Sequence, residues 1–138
     1  MLINDFPIGQ KLNAVTVIED KEFNNNELCL DKIQLFFEDV VMTLSPIIDT
    51  DEIEITQEYH HNNYELKTPD WCEQFLGKKL MNIWVCENNQ EYQDQIILAF
   101  DNLHPSISFI SEGSVIKVFT YQQVKSIINQ NKKLCQVG

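Results

Sequence analysis

The sequence predicts an α+β domain, mainly antiparallel β, built from two repeated ββββα units related by a pseudo-two-fold axis. Three observations predict it: an internal repeat, an apolar rhythm of period two inside each copy, and a helix-start signal closing each copy. Residues 31–56 align without a gap on residues 94–119, with identities at Asp31/Asp94, Ile33/Ile96, Leu35/Leu98, Phe37/Phe100, Ser45/Ser108, Ile47/Ile110 and Ile53/Ile116. Matched Asp and Ser residues are not explained by a shared apolar rhythm, so the alignment reads as duplication. Upstream, Ile8-Gly9-Gln10-Lys11-Leu12 lies over Leu76-Gly77-Lys78-Lys79-Leu80, and Val17 and Glu19 match Val85 and Glu87. The offset there is 68 rather than 63, which places five extra residues in the first copy, most naturally in the polar run Asn24-Asn25-Asn26-Glu27. The repeats span residues 8–76 and 76–133 of a single domain covering 1–138.

Each element follows from local chemistry. The first strand of each copy, Leu12 to Glu19 and Leu80 to Glu87, is apolar on both faces, the pattern of a central or doubly covered strand. In the second, Ile33, Leu35 and Phe37 alternate with Lys32, Gln34 and Glu38, and Ile96, Leu98 and Phe100 repeat the pattern, as a half-buried strand requires. Glu38-Asp39 and Asp101-Asn102 suit the turns that follow, because Asp and Asn bond their own backbone and tolerate left-handed conformations. A third strand runs through Val40, Met42 and Leu44, or through Ile107 and Phe109. A fourth runs through Ile53 and Ile55, or Ile116 and Val118, with Glu54 and Lys117 facing outward. Thr68 as cap, Pro69 at the first position, Asp70 and Glu73 at the positive end and Gly77 as stop predict a two-turn helix presenting Trp71 and Phe75. A second helix is expected from Tyr121 to Lys132, its stripe of Val124, Ile127 and Ile128 packing on a sheet and Lys132 and Lys133 at its negative end. Asn62-Asn63 and Asn88-Asn89 are expected to be turns.

Composition bounds the function. At 138 residues, 43% apolar and 22% charged, the chain can bury a core without metal or disulfide staples. Met1-Leu2-Ile3-Asn4-Asp5 does not open a secretion signal, and no apolar run approaches the roughly 18 residues of a membrane span, so a cytoplasmic protein without membrane contact is expected. Cys29, Cys72, Cys86 and Cys135 form no Cys-x-x-Cys pair, and we expect free thiols rather than a zinc site or disulfides. A net charge of −11 repels phosphate backbones and anionic lipid, which argues against nucleic acid and favours a basic protein partner.

Chemical machinery is sparse. His60 and His61 are adjacent and on a strand would face opposite sides, unlike metal ligands drawn from one segment. His104 falls in a turn, and no local motif pairs a Cys with a His as an activated nucleophile. Asp49-Thr50-Asp51-Glu52-Ile53-Glu54 lacks the glycine and the distant bidentate glutamate of a calcium loop. With four glycines there is no phosphate-cradling loop. No catalytic residue, metal ligand or cofactor is therefore expected, and Trp71 and Trp84, lying inside apolar patterns, are expected in the core. The candidate partner-binding residues are Glu38, Asp39, Asp49, Asp51, Glu52 and Glu54. The alternative is a small-ligand or enzymatic domain with a site between the repeats, lined by aromatics and the paired carboxylates Asp31/Asp94 and Glu19/Glu87.

The run from Leu76 to Val85, with Tyr92 to Asp101, resembles a family of small bacterial proteins of unknown activity, over most of the chain. Such a resemblance implies no catalytic residues to carry across. In size, acidity and lack of machinery the chain is also similar to immunity proteins, which neutralise a toxin by binding it. The expected function is thus a non-enzymatic interaction domain, in its sharpest form an immunity-type inhibitor of a basic partner.

Overall fold

A computed structural model describes residues 5–20, 28–60 and 67–121. They form β1 (Ala14–Glu19), β2 (Cys29–Phe36), β3 (Val40–Ile47), β4 (Glu52–Tyr59), β5 (Leu80–Glu87), β6 (Gln93–Phe100), β7 (Ile107–Glu112) and β8 (Val115–Thr120). All pairings are antiparallel and belong to one eight-stranded sheet curled as a half-barrel, in the order β4-β3-β2-β8-β7-β6-β5. Strand β1 lies off this path and runs along β2 from Ala14↔Phe36 to Glu19↔Leu30. β2 is the branching strand: Ile33–Phe36 pair with β3, while Cys29 and Leu30 pair with Lys117 and Ile116 of β8.

A second seam joins the segment ahead of β1 to the segment ahead of β5. Lys11 and Lys79 form an antiparallel bridge. Around it the amides of Gly9 and Leu12 donate to the carbonyls of Leu80 and Lys78, at 2.7 and 3.0 Å, and those of Gly77 and Leu80 donate to Leu12 and Gln10, at 2.8 and 2.9 Å. Gly9 and Gly77 flank this ladder with φ of 90° and 79°, a left-handed conformation that glycine adopts without a Cβ penalty. The Lys11 amide also donates to Glu38 Oε2 (3.3 Å) and the Lys79 amide to Asp101 Oδ1 (3.2 Å), so each turn after a central strand is tied back to the seam.

Period-two alternation sends one side chain in two to a common interior. Ile33, Leu35, Leu44, Ile53, Ile96, Leu98, Ile107, Phe109 and Ile116 are all buried in one cluster. Phe100 stacks on both Phe37 and Phe75, with ring centroids 6.5 and 5.4 Å apart. Each fully buried side chain of this size contributes about 1.5–3 kcal/mol, so this row dominates the folding energy.

Three expectations need correction. The α+β label and the ββββα units are not what the described residues form: their only helix is a short 3-10 turn, Asp70–Phe75, and the fold is mainly antiparallel β. The turn is not capped by Thr68, whose hydroxyl accepts instead from the amide of Val15 (3.1 Å), a buried bond that draws residue 68 onto β1. It ends at Phe75, with Leu76 as its cap, just before the Gly77 amide that the seam takes. The expected second helix, from Tyr121 to Lys132, falls outside the described residues except for Tyr121. Finally, β1 and β5 are not central strands, since β1 pairs along its length with β2 alone and β5 is the end strand beside β6.

Candidate functional site

β3 and β4 carry the acidic surface. The two strands pair over their whole length, from Val40↔Tyr59 to Ile47↔Glu52. Along β4, Ile53 and Gln57 turn inward and are buried, so Glu52, Glu54, Thr56 and Glu58 occupy the outer face. They lie opposite Ile47, Ser45, Thr43 and Val41 of β3. Neither strand contains a lysine, so no cation is interleaved with the carboxylates. Charges two residues apart on a strand are about 7 Å from each other, within a Debye length, and their potentials add.

The six residues expected to bind a partner fall into two groups. Asp49, Asp51, Glu52 and Glu54 gather at the β3–β4 hairpin. Asp49 and Asp51 hold φ of 78° and 55°, a left-handed region that Asp enters more readily than most residues. Asp51 Oδ1 accepts from the Gly113 amide (3.0 Å), which ties this hairpin to the one between β7 and β8. Glu38 and Asp39 sit at the far end of β3, separated from the first group by a strand of eight residues, roughly 25 Å. Glu38 accepts from the Lys11 amide, and the Asp39 backbone is bonded to Gln10 and His60. One residue that the sequence reading passed over connects the groups. Glu58, exposed, continues the outer alternation of Glu52 and Glu54 toward Asp39, and extending the period-two pattern by four residues would have found it.

The other candidates have structural surroundings. His60 follows β4, and its Nε2 donates to the Phe37 carbonyl at 2.8 Å, because a carbonyl can only accept. Its ring stands edge-on to Phe36 with centroids 5.5 Å apart. His104 is exposed, its amide bonded to Asn102 Oδ1 at 2.8 Å, and His61 lies outside the described residues. Asn88 forms the expected turn, its Oδ1 accepting from the amides of Gln90 and Tyr92. Burial pushes the Cys72 thiol up to about 12, well above its ordinary 9.0, which keeps it protonated and poorly nucleophilic at neutral pH. Among the described residues no group of three or more His, Cys, Asp or Glu is placed to hold a metal ion.

The paired carboxylates are not adjacent across the halves. Glu19 and Asp31 lie at the bulged end of the β1–β2 hairpin, Glu87 and Asp94 at the bulged end of β5–β6, and β8 and β7 separate β2 from β6 in the sheet. Where the halves meet, the Phe37, Phe75 and Phe100 rings fill the interior. Trp71 is partly buried against this cluster. Trp84 is not in the core, because it faces outward beside Ile97 while its neighbours Ile83 and Val85 face Leu98 and Ile96.

A family model described as a family of unknown function, DUF6334, matches residues 1–125. The chain belongs to that family. No curated protein and no solved structure matches it. The DUF6334 match covers all eight strands and both parts of the acidic surface. Among the described residues of this DUF6334 member, no helix is long and apolar enough to cross a membrane.

Proposed function

We propose that the chain is a non-enzymatic interaction domain that binds a basic protein partner through the outer face of β3–β4 and its two flanking turns. The observation that carries this reading is the run of Glu52, Glu54 and Glu58 along the outer face of β4, bracketed by Asp49 and Asp51 at one end and Glu38 and Asp39 at the other, with no cation on either strand. Such a face steers a cationic partner by long-range attraction and sets orientation more than final affinity. An immunity-type inhibitor is the specific form of the proposal, in which the basic partner is a toxin.

The same reading includes an internal duplication with an approximate dyad. Four features support it. Aligned residues meet each other at the Lys11–Lys79 bridge and at the Phe37–Phe100 stack. The four seam bonds exchange in pairs when residues 9, 10 and 12 are swapped with 77, 78 and 80. Aligned carboxylates, Glu38 and Asp101, accept from aligned amides. The first hairpins share a register, Val17↔Ile33 and Val85↔Ile96.

The test is retention of partners by the immobilised full chain at low and high salt, beside the Glu52→Gln/Glu54→Gln/Glu58→Gln variant. The expected result is a basic polypeptide held at low salt, released at high salt and lost by the variant. Equal retention by the variant, or no retained polypeptide at low salt, would overturn the proposal.

A further inference from the structure

The outer face of β5–β8 carries a largely apolar row, with Gln95 and Lys117 in the row beside it. Pairing aligns Trp84, Ile97, Ser108 and Phe119 in one row across the four strands. Ile110 and Tyr121 lie on the same face in the rows to either side, since Ile110 pairs with Lys117 and the Tyr121 amide bonds to Ser106 at 3.0 Å. Phe119 and Tyr121 are each 47% exposed. The corresponding row of β1–β4 is polar and bonded within itself: Thr16 donates to Gln34 (3.1 Å) and Gln34 to Thr43 (3.4 Å). One half of the sheet thus has a finished outer surface, and the other presents aromatic and aliphatic side chains that need a cover.

We infer that the cover is the chain's own carboxyl-terminal segment, residues 122–138. These lie outside the described residues, and what points to them is their sequence, their length and the place where β8 ends. Tyr121 is still on the β7–β8 ladder and already on the apolar face, so the segment leaves from the rim of the surface it would cover. Its apolar residues Val124, Ile127 and Ile128 are spaced three and four apart, which on a helix makes one stripe. Its charges are Lys125, Lys132 and Lys133 with no Asp or Glu, in a chain whose net charge is −11, so electrostatics holds it to its own body. Its reach also fits. A helix rising about 1.5 Å per residue carries position 135 some 21 Å from Tyr121. The diagonal of the face, three strand spacings of about 4.8 Å and four residues of about 3.4 Å, is roughly 20 Å. That diagonal ends at Cys86 on β5, which faces outward opposite Gln95, and the segment carries Cys135.

A short bismaleimide added to dilute full-length protein tests this placement, with cross-linked peptides mapped by mass spectrometry. Cys29 and Cys72 are 4% and 1% exposed and do not compete. The expected product is an intramolecular Cys86–Cys135 bridge. Its yield should fall about tenfold in Ile127→Glu, which puts a charge in the apolar contact, and should hold in Ser126→Glu, on the opposite side of the helix. Labelling of both thiols without a bridge, or equal yields in the two variants, would overturn the inference. A bridge found only between two molecules would overturn it in favour of a second copy as the cover.

Discussion

The first four strands and the last four have the same interior and different exteriors. Inside, aligned residues do the same work: Ile33 and Ile96, Leu35 and Leu98, Phe37 and Phe100, and Ile53 and Ile116 are all buried. Outside, the row Thr16, Gln34, Thr43 and Thr56 of the first half stands where the second half has the row Trp84, Ile97, Ser108 and Phe119, although Ser108 aligns in sequence with Ser45. The strand margins differ as well. β4 carries Glu52, Glu54 and Glu58, whereas β8 carries Lys117, paired with Glu112 at 3.4 Å, and Phe119. Packing constrains a side chain that must fill shared space, and it leaves the outward neighbour free to take on a different partner. The lesson is that function in this fold is to be sought on the outer faces, and separately on each half.

The largest expected effect tests the shared interior. Phe37→Ala and Phe100→Ala should each destabilise by about 3–5 kcal/mol in urea unfolding, since each empties a closed part of the core. A small loss in only one of them would break the equivalence of the halves. The next effect concerns the connector between them. Because the folded state holds the Cys72 proton up to about 12 against an ordinary 9.0, it binds more protons than the unfolded state in that interval. The stabilisation is complete below pH 9 and is lost as pH rises toward 12, so the urea midpoint should fall there more steeply than in Cys72→Ala. Matching slopes would show that the thiol does not contribute.

Smaller effects separate the exteriors. Ile97→Gln should cost about 1–2 kcal/mol, because it places an amide in an apolar row. Gln34→Ile, at the aligned position, should stay within about 1 kcal/mol, the net worth of the hydrogen bonds it removes. Reversed costs in the same unfolding assay would mean that the two faces have been assigned the wrong way round. Smallest of all, Glu52→Gln/Glu54→Gln/Glu58→Gln should change stability by less than about 0.5 kcal/mol while abolishing salt-sensitive partner binding, so that surface charge is separated from folding.

Much of the sheet was legible because alternation is a local signal. Leu80 to Glu87 was placed residue for residue, and at Asn88 and Asn102 the side chain bonds the nearby backbone as a turn residue should, whereas Asp101 turns the chain while its carboxylate accepts from Lys79. What was not legible depends on long-range contacts. Thr68 and Pro69 read as a helix start, yet the Thr68 hydroxyl serves Val15 from 53 positions away, and no propensity carries that information. Trp84 read as core because apolar residues on both faces look alike until the register with Ile97 says which face is which. For the candidate site, the acidic residues were all visible, but their separation into two groups follows from Glu38 and Asp51 lying at opposite ends of β3. Glu58 escaped because the expected fourth strand was traced only through Ile53 and Ile55, whereas β4 runs on to Tyr59.

The Lys11–Lys79 seam also has a kinetic consequence. Hairpins such as β3–β4 close loops of a few residues and can form early, whereas the seam joins segments with four strands and a long connection between them. Its loop entropy must be met before its four bonds repay anything, which places its formation late and puts the chain among the slower folders, in milliseconds to seconds. Until that step is complete, the nascent half-barrel has its interior open along one side.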